Sequence, residues 1–225
     1  MKTQFGLALL AVAVLVPAMR SHAQDSHSAP KFSHPKEITN VYLPLSSLKQ
    51  DILEGTEKGH PLRVERTVKP GSKTFNVNGQ TVEAMIVEDR EFINEDIEEV
   101  ALDYFAQDDN GTVYYLGEDV DNYKDGKVVG HEGAWLYGKD TQKMGVVMPA
   151  HPRVGLKFQA EVVGKVTTEN DTVVSLTEKV TVPAGKFEKC LKVKETNSDG
   201  ELEEKFYAPG VGAIKEEDLL LKSHN

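Results

Sequence analysis

Cysteine is almost missing from this chain: Cys190 is the only one in 225 residues. No internal disulfide can form, so the fold must be held by its core. A chain of this size can do so, because it buries roughly 70% of the surface its unfolded form exposes. Positive charge is also scarce. There are 26 Lys and Arg against 36 Asp and Glu, a formal net charge of −10. That balance argues against nucleic acid as a partner, since such binding relies on Lys and Arg displacing counterions. It suits solubility and cationic partners, metal ions included. After residue 16 no run is apolar enough to cross a membrane as a helix. Nucleophile elbows of the GxSxG type, HExxH zinc motifs and glycine-rich phosphate loops are absent.

The first 23 residues read as a signal peptide. Lys2 gives a short basic start, Phe5 to Val16 an apolar core, and Ser21-His22-Ala23 a small-residue cleavage site after Ala23. Cleavage removes Lys2 and Arg20 and takes the formal charge from −10 to −12. No cysteine follows the apolar core, so a lipid-attachment signal is missing. The expectation is a secreted or periplasmic protein without a transmembrane segment after cleavage. Residues 24–38 are polar, Pro-containing and aperiodic, and are expected to form a disordered lead.

Leu45, Leu48 and Ile52 follow a helical spacing, with Ser47 and Gln50 as a capping box and Gly55 to end it. One short N-terminal helix is predicted there. The rest alternates at period two between turn signals: Pro70-Gly71, Asn78-Gly79, Asn110-Gly111, Asp125-Gly126, Asp199-Gly200 and Pro209-Gly210. Short strands at such spacing indicate a mainly β, antiparallel fold. In the strand around 98–107, Val100, Leu102, Tyr104 and Ala106 share one face, and Glu99, Asp103 and Gln107 the other. Val174, Leu176, Val180 and Val182 are expected to share a face further on. A weak internal repeat matches Val82–Ile86 to Phe187–Leu191 and Asp103–Gln107 to Lys205–Pro209. It points to two related halves, about 41–140 and 148–222, packed as a single domain over 39–225. Parity alone exposes Cys190, whereas its match to Met85 covers it; partial burial is expected.

Carboxylates, aromatics and turn glycines crowd most densely between Asp103 and Gly155. Against a twelve-residue calcium loop, Asp121 falls at position one, Asp125 at five, Gly126 at six and Glu132 at twelve. Tyr123 stands at the third position, where an oxygen ligand is wanted, and Lys124 and Lys127 add positive charge. A hairpin turning on Asp125-Gly126 is the stronger expectation, and Asp121, Asp125 and Glu132 remain the candidate calcium ligands. Glycoside hydrolysis needs two carboxyls across a cleft. Glu118 and Asp119 point to opposite faces, but Glu118 facing Asp103 or Glu132 across strands would serve, so these three are the catalytic candidates. His131 and His151 lack the spacing of a zinc site. Of the aromatics, Tyr104, Tyr115, Trp135 and Tyr207 are the candidate ligand-binding residues, with core packing as the alternative role.

Several segments carry a resemblance: DYFAQDDNGTVYYLGED, DGKVV followed by EGAW, MPAHPRVG, and in the second half VTVPAGKFEKCLKV and FYAPGVGAIKEE. With these, the chain resembles a group of uncharacterised secreted bacterial proteins. Its second half is also similar to domains of unknown function in bacterial envelope lipoproteins. The resemblance implies a half-barrel, a strongly curved antiparallel sheet, and supplies no activity and no catalytic residue. The chain departs from the lipoprotein pattern in lacking the acylated cysteine. The function expected on these grounds is binding more than catalysis: an exported protein of the bacterial envelope or exterior holding a small apolar or amphipathic ligand on the curved sheet. The alternatives are a calcium-stabilised structural or surface-interaction module and a carbohydrate-active hydrolase.

Overall fold

The computed structural model describes residues 29–163, 168–197, 200 and 202–225. The signal peptide expected over 1–23, and the start of the lead at 24–28, lie outside them. The described residues form strands β1 Gln50–Glu57, β2 His60–Val77, β3 Gln80–Ile93, β4 Asp96–Gln107, β5 Val113–Lys124, β6 Lys127–Gly130, β7 Trp135–Leu136, β8 Gly145–Met148, β9 Lys157–Val162, β10 Thr168–Val182, β11 Gly185–Thr196, β12 Leu202–Ala208, β13 Gly212–Glu216 and β14 Leu219–His224. The fold is mainly β and every ladder is antiparallel, as the alternation predicts. Asn78-Gly79 and Asp125-Gly126 turn tight hairpins with positive φ at both residues, the geometry of a primed turn. Pro70-Gly71 does not separate two strands. It makes a bulge within β2, where the register to β3 jumps between Lys69 and Lys73, and it bends one long strand.

Strands β1 to β6 form one meander and β9 to β14 another, joined where β1 pairs β14. The two pieces of the sequence repeat fall on corresponding strands. Val82–Ile86 and Phe187–Leu191 lie on β3 and β11, and Asp103–Gln107 and Lys205–Ala208 on β4 and β12. Strands β6, β7 and β8 share the edge of β5 away from β4. The ladder stays open and does not close into a barrel. Its two ends nonetheless touch. A Cβ at Gly145 of β8 would collide with the carbonyl of Ala160 on β9. The Thr141 hydroxyl donates to the Val162 carbonyl at 2.7 Å, and Val163 packs on Tyr115 and Trp135.

Both faces of this curled sheet are covered. The inner face carries Met85, Val87, Val113, Met148, Val173, Leu191 and Val193, closed over by Ile38, Leu45 and Leu48. The outer face carries Phe75, Val82, Tyr104 and Leu116 beneath Phe32. A third cluster, where the β10–β11 hairpin meets β1 and β14, gathers Leu53, Val182, Cys190, Phe206, Ile214 and Leu221.

Three expectations are corrected. The helix predicted from Leu45 to Gly55 is absent: a single 3-10 turn, Leu45–Ser47, is followed directly by β1. The Ser47 hydroxyl donates to the Pro44 carbonyl at 2.8 Å and caps nothing. A helix this short is marginal alone, whereas the same residues as β1 gain two ladder partners, β2 and β14, and bury Leu53 completely. The lead is not disordered over its described part, 29–38. Phe32 and Ile38 are buried, and Asp109 accepts from the Ser33 amide at 2.7 Å and its hydroxyl at 2.9 Å. Finally, Val174, Leu176, Val180 and Val182 do not share a face. Bulges in β10 shift its register to β11 at three places, so Leu176 joins the inner cluster while Val180 and Val182 join the cluster around Cys190.

Candidate functional site

The inner face is not uniformly apolar. Arg66 on β2 stands opposite Asp51 on β1 and Asp89 on β3. Its guanidinium donates to both Asp89 oxygens, through Nε at 3.1 and 3.0 Å and Nη2 at 2.7 Å. Through Nη1 it also reaches Glu216 on β13 at 3.2 Å. Burial opposes the Arg66 charge, but Asp89 and Glu216 outweigh it and hold the group cationic. Burial likewise works against ionised Glu216, yet Arg66 and Lys205 keep its carboxyl below the usual range. Asp51, 3% exposed, sits beside this pair and meets Nδ1 of His224 at 2.6 Å.

Further along the same face lies a carboxylate pair. Asp103 on β4 and Glu118 on β5 are direct cross-strand partners. Alternation would put Tyr115 and Glu118 on opposite faces. A bulge at Gly117, where φ is 124°, shifts the register so that both face inward. A Cβ there would strike the Trp135 carbonyl, so the position demands glycine on two counts. The Tyr115 hydroxyl donates a short hydrogen bond to Asp103. Burial, with Asp89, pushes the Asp103 carboxyl up to about 7 against that bond. Burial, with Asp103 and Glu161, pushes Glu118 up to about 9.

The other end of the sheet supplies the rest. Glu161 on β9 pairs with Glu169 on β10, and Asp171 on β10 pairs with Glu195 on β11. Burial and Glu169 push Glu161 up to about 8. Burial pushes Asp171 to about 7, Glu195 and Glu169 adding to it against the pull of Lys205. Lys205 on β12 binds Glu195 at 2.6 Å. The indole N–H of Trp135 leans toward Glu161 and lowers its pKa, but is too poorly placed for a hydrogen bond. Rings line the approach: Phe105 stacks on Tyr115 at 4.9 Å, and Trp135 meets Tyr115 edge-on at 5.1 Å.

Beside Arg66, Asp103 and Glu216 lies a cavity of about 130 Å³, which Glu118, Glu161 and Asp171 do not line. Leu43, Leu45, Val87, Phe105, Val147 and Ala213 give it an apolar wall, and Arg66, Asp103, Tyr207 and Glu216 a polar one. Phe105 and Tyr207 occupy matching places in the two pieces of the repeat, as do Asp103 and Lys205.

Of the sequence candidates, the structure brings Asp103 and Glu118 together and leaves Glu132 apart, exposed in the turn after β6. Tyr115, Trp135 and Tyr207 all stand on the inner side. Tyr104 does not. It belongs to the outer cluster, donates to Asp119 and has the Lys73 ammonium 4.5 Å from its ring centre. The segment 121–132 is a hairpin, with Tyr123 paired to Val128 and Lys124 to Lys127. Asp121 meets His131 Nδ1 at 2.9 Å. Asp121, Asp125 and Glu132 do not converge, and no metal-holding group of three or more His, Cys, Asp or Glu occurs among the described residues. Cys190 is fully buried.

Arg66, Glu161, Asp171, Lys205 and Glu216 were not singled out in the sequence. Period two assigns a residue to a face, but not which distant strand it will meet. The only available signal was the match of Lys205 to Asp103 in the repeat. Comparison of the chain with family models, curated proteins and solved structures finds no match.

Proposed function

We propose that this protein is an exported binding protein that holds a small amphipathic molecule inside its curled sheet. The observation that carries this reading is the cavity of about 130 Å³, apolar on one wall and polar on the other. Concave sites that combine apolar lining with a few placed polar groups are the usual form of small-molecule sites. The volume equals the share of about four water molecules at ~30 Å³ each. The ligand, or the part of it that enters, is therefore only a few heavy atoms across. The signal-like leader and the resemblance to envelope proteins support a location outside the cytoplasm.

Trp135, the only tryptophan, packs on Tyr115 beside the site and serves as a probe. Titration with short alkanols should change its fluorescence saturably and raise the melting temperature. Ala213→Leu, which fills the cavity, should abolish both while the protein stays folded. Equal responses from the parent and the filled variant would refute the reading.

A second reading, acid/base hydrolysis of a glycoside, is favoured by one observation: Asp103 and Glu118 face each other as partners with raised pKa values. Turnover of an activated aryl glycoside that disappears in Glu118→Gln would support it; no turnover would remove it.

A further inference from the structure

Two polar groups on the wall of the 130 Å³ cavity have hydrogen-bonding capacity to spare. Asp103 lines the cavity and is only 9% exposed. Its Oδ1 accepts from the Tyr115 hydroxyl, which leaves Oδ2 without a donor among the described residues. Tyr207 lines the same cavity, and its hydroxyl makes no hydrogen bond to a described residue either. A buried polar group left unsatisfied is costly, and a bound partner relieves that cost. The carboxylate oxygen accepts and the phenol can donate, so together they call for a group that does both. Charge narrows the choice further. Arg66 also lines the cavity, but its guanidinium is held by Asp89 and Glu216. The wall thus offers no spare cation to an anion, and the fixed guanidinium stands against a second cation. A neutral dipole meets neither objection.

We propose that the ligand is a short aliphatic alcohol, its hydroxyl donating to Asp103 Oδ2 and accepting from the Tyr207 hydroxyl, its alkyl chain against Leu43, Val87, Phe105 and Val147. This rests on the binding reading above and names its ligand class. An ammonium group has donors only and a carboxylate acceptors only, so each leaves one of the two groups unmet. Asp103 stands on β4 and Tyr207 on β12, so the hydroxyl is gripped by one group from each meander. The repeat gives this grip its asymmetry. At the place matching Tyr207 the first meander has Phe105, which presents an apolar ring to the same cavity. The head group is therefore drawn to the Tyr207 side and the chain to the Phe105 side.

Four probes test the inference: 1-butanol, its isomer methyl propyl ether, butylamine and sodium butyrate. Each is titrated calorimetrically into the full-length protein at constant ionic strength and pH 8, above the value of about 7 to which burial raises Asp103. The ether keeps the acceptor and the bulk of butanol but has no O–H to donate. Butanol should bind at least about tenfold more tightly than the ether, the factor expected for one hydrogen bond to a carboxylate. It should also bind more tightly than the amine and the butyrate. Asp103→Asn still accepts from Tyr115 but turns a donor to the cavity, so it should erase the preference for butanol while the ether still binds. Tyr207→Phe, which keeps the ring, should weaken butanol and ether alike. An ether that binds as tightly as butanol, or a charged probe that binds more tightly, would overturn the alcohol assignment and leave the cavity reading intact. A preference kept in Asp103→Asn, or affinities unchanged in Tyr207→Phe, would also overturn the assignment. No saturable binding of any probe would overturn both.

Discussion

Arg66 on β2 and Glu216 on β13 are joined at 3.2 Å although β1 and β14 lie between their strands. On a flat sheet three strand spacings of about 4.8 Å would separate their backbones by roughly 14 Å, and side chains standing perpendicular to the sheet do not bridge that distance. The contact is thus a direct mark of curvature, and it ties the two meanders together across their junction. It also ends most of the freedom of two charged groups that burial would otherwise penalise.

Replacing Arg66 leaves Asp89 and Glu216 without their cation. Loss of one partner from a largely buried pair costs roughly 3–5 kcal/mol. Arg66→Ala should lower the urea midpoint accordingly, and Asp89→Asn in that background should recover part of the loss. Additive losses in the double variant would show that the three groups are not coupled.

The acids of the interior make stability depend on pH in an unusual sense. Asp103 and Asp171 are raised to about 7, Glu161 to about 8 and Glu118 to about 9. Unfolded carboxyls titrate near 4, so between there and pH 9 the folded chain holds protons that the unfolded chain has released. Stability from these groups is full below about pH 4 and is lost as pH rises through their folded values. Glu216 acts oppositely: its lowered pKa gives stability that is lost only as pH falls through its folded value. Melting temperatures from pH 5 to 9 should therefore fall toward the alkaline end, and Glu118→Gln should flatten the fall between 8 and 9. A midpoint that rises with pH over this range would contradict the raised values.

Cys190 illustrates how far the sequence could be followed. Simple alternation placed it with Glu188 and Lys192. It still shares a face with Lys192 and lies opposite to Leu191, but a bulge at Lys189, whose φ is 57°, brings Phe187 round to its face, where the cluster with Phe206 and Val182 buries it. The prediction is a thiol that reacts with a disulfide reagent only on unfolding, its pKa raised by burial, and no disulfide-linked dimer. Cys190→Ser should cost about 1–3 kcal/mol for burying a hydroxyl among apolar groups. Rapid labelling of the native protein would refute this.

The same contrast runs through the rest of the molecule. The β class, the Asn78-Gly79 and Asp125-Gly126 hairpins and the two faces of β4 were legible, because turn chemistry and period two are local; the choice of Asp103 over Glu132 as the partner of Glu118 was not, because a bulge at Gly117 sets that register. The helix failed because Leu45, Leu48 and Ile52 fit two patterns, and long-range pairing of β1 decided between them. Tyr104 was grouped with Tyr115 by composition, whereas its parity put it on the other side. Glu161, Asp171 and Lys205 join the site only because the ends of the sheet meet, which no local pattern encodes.

That meeting depends on Gly145. A side chain there collides with the Ala160 backbone. Gly145→Ala should cost about 1–3 kcal/mol, the range for forcing atoms into packed space. It should also speed hydrogen exchange at the amides of β8 and β9 more than at β2 and β3. Uniform exchange changes would argue against a seam at this place.

The central claim, that the curled sheet holds its ligand inside, is tested most directly by methyl NMR during titration with 1-butanol. The account predicts saturable shifts at Leu45, Val87, Val147 and Ala213 around the cavity, with the exposed Val128 and Val129 of β6 unmoved. Shifts spread over the exterior, or none at the four interior residues, would contradict it.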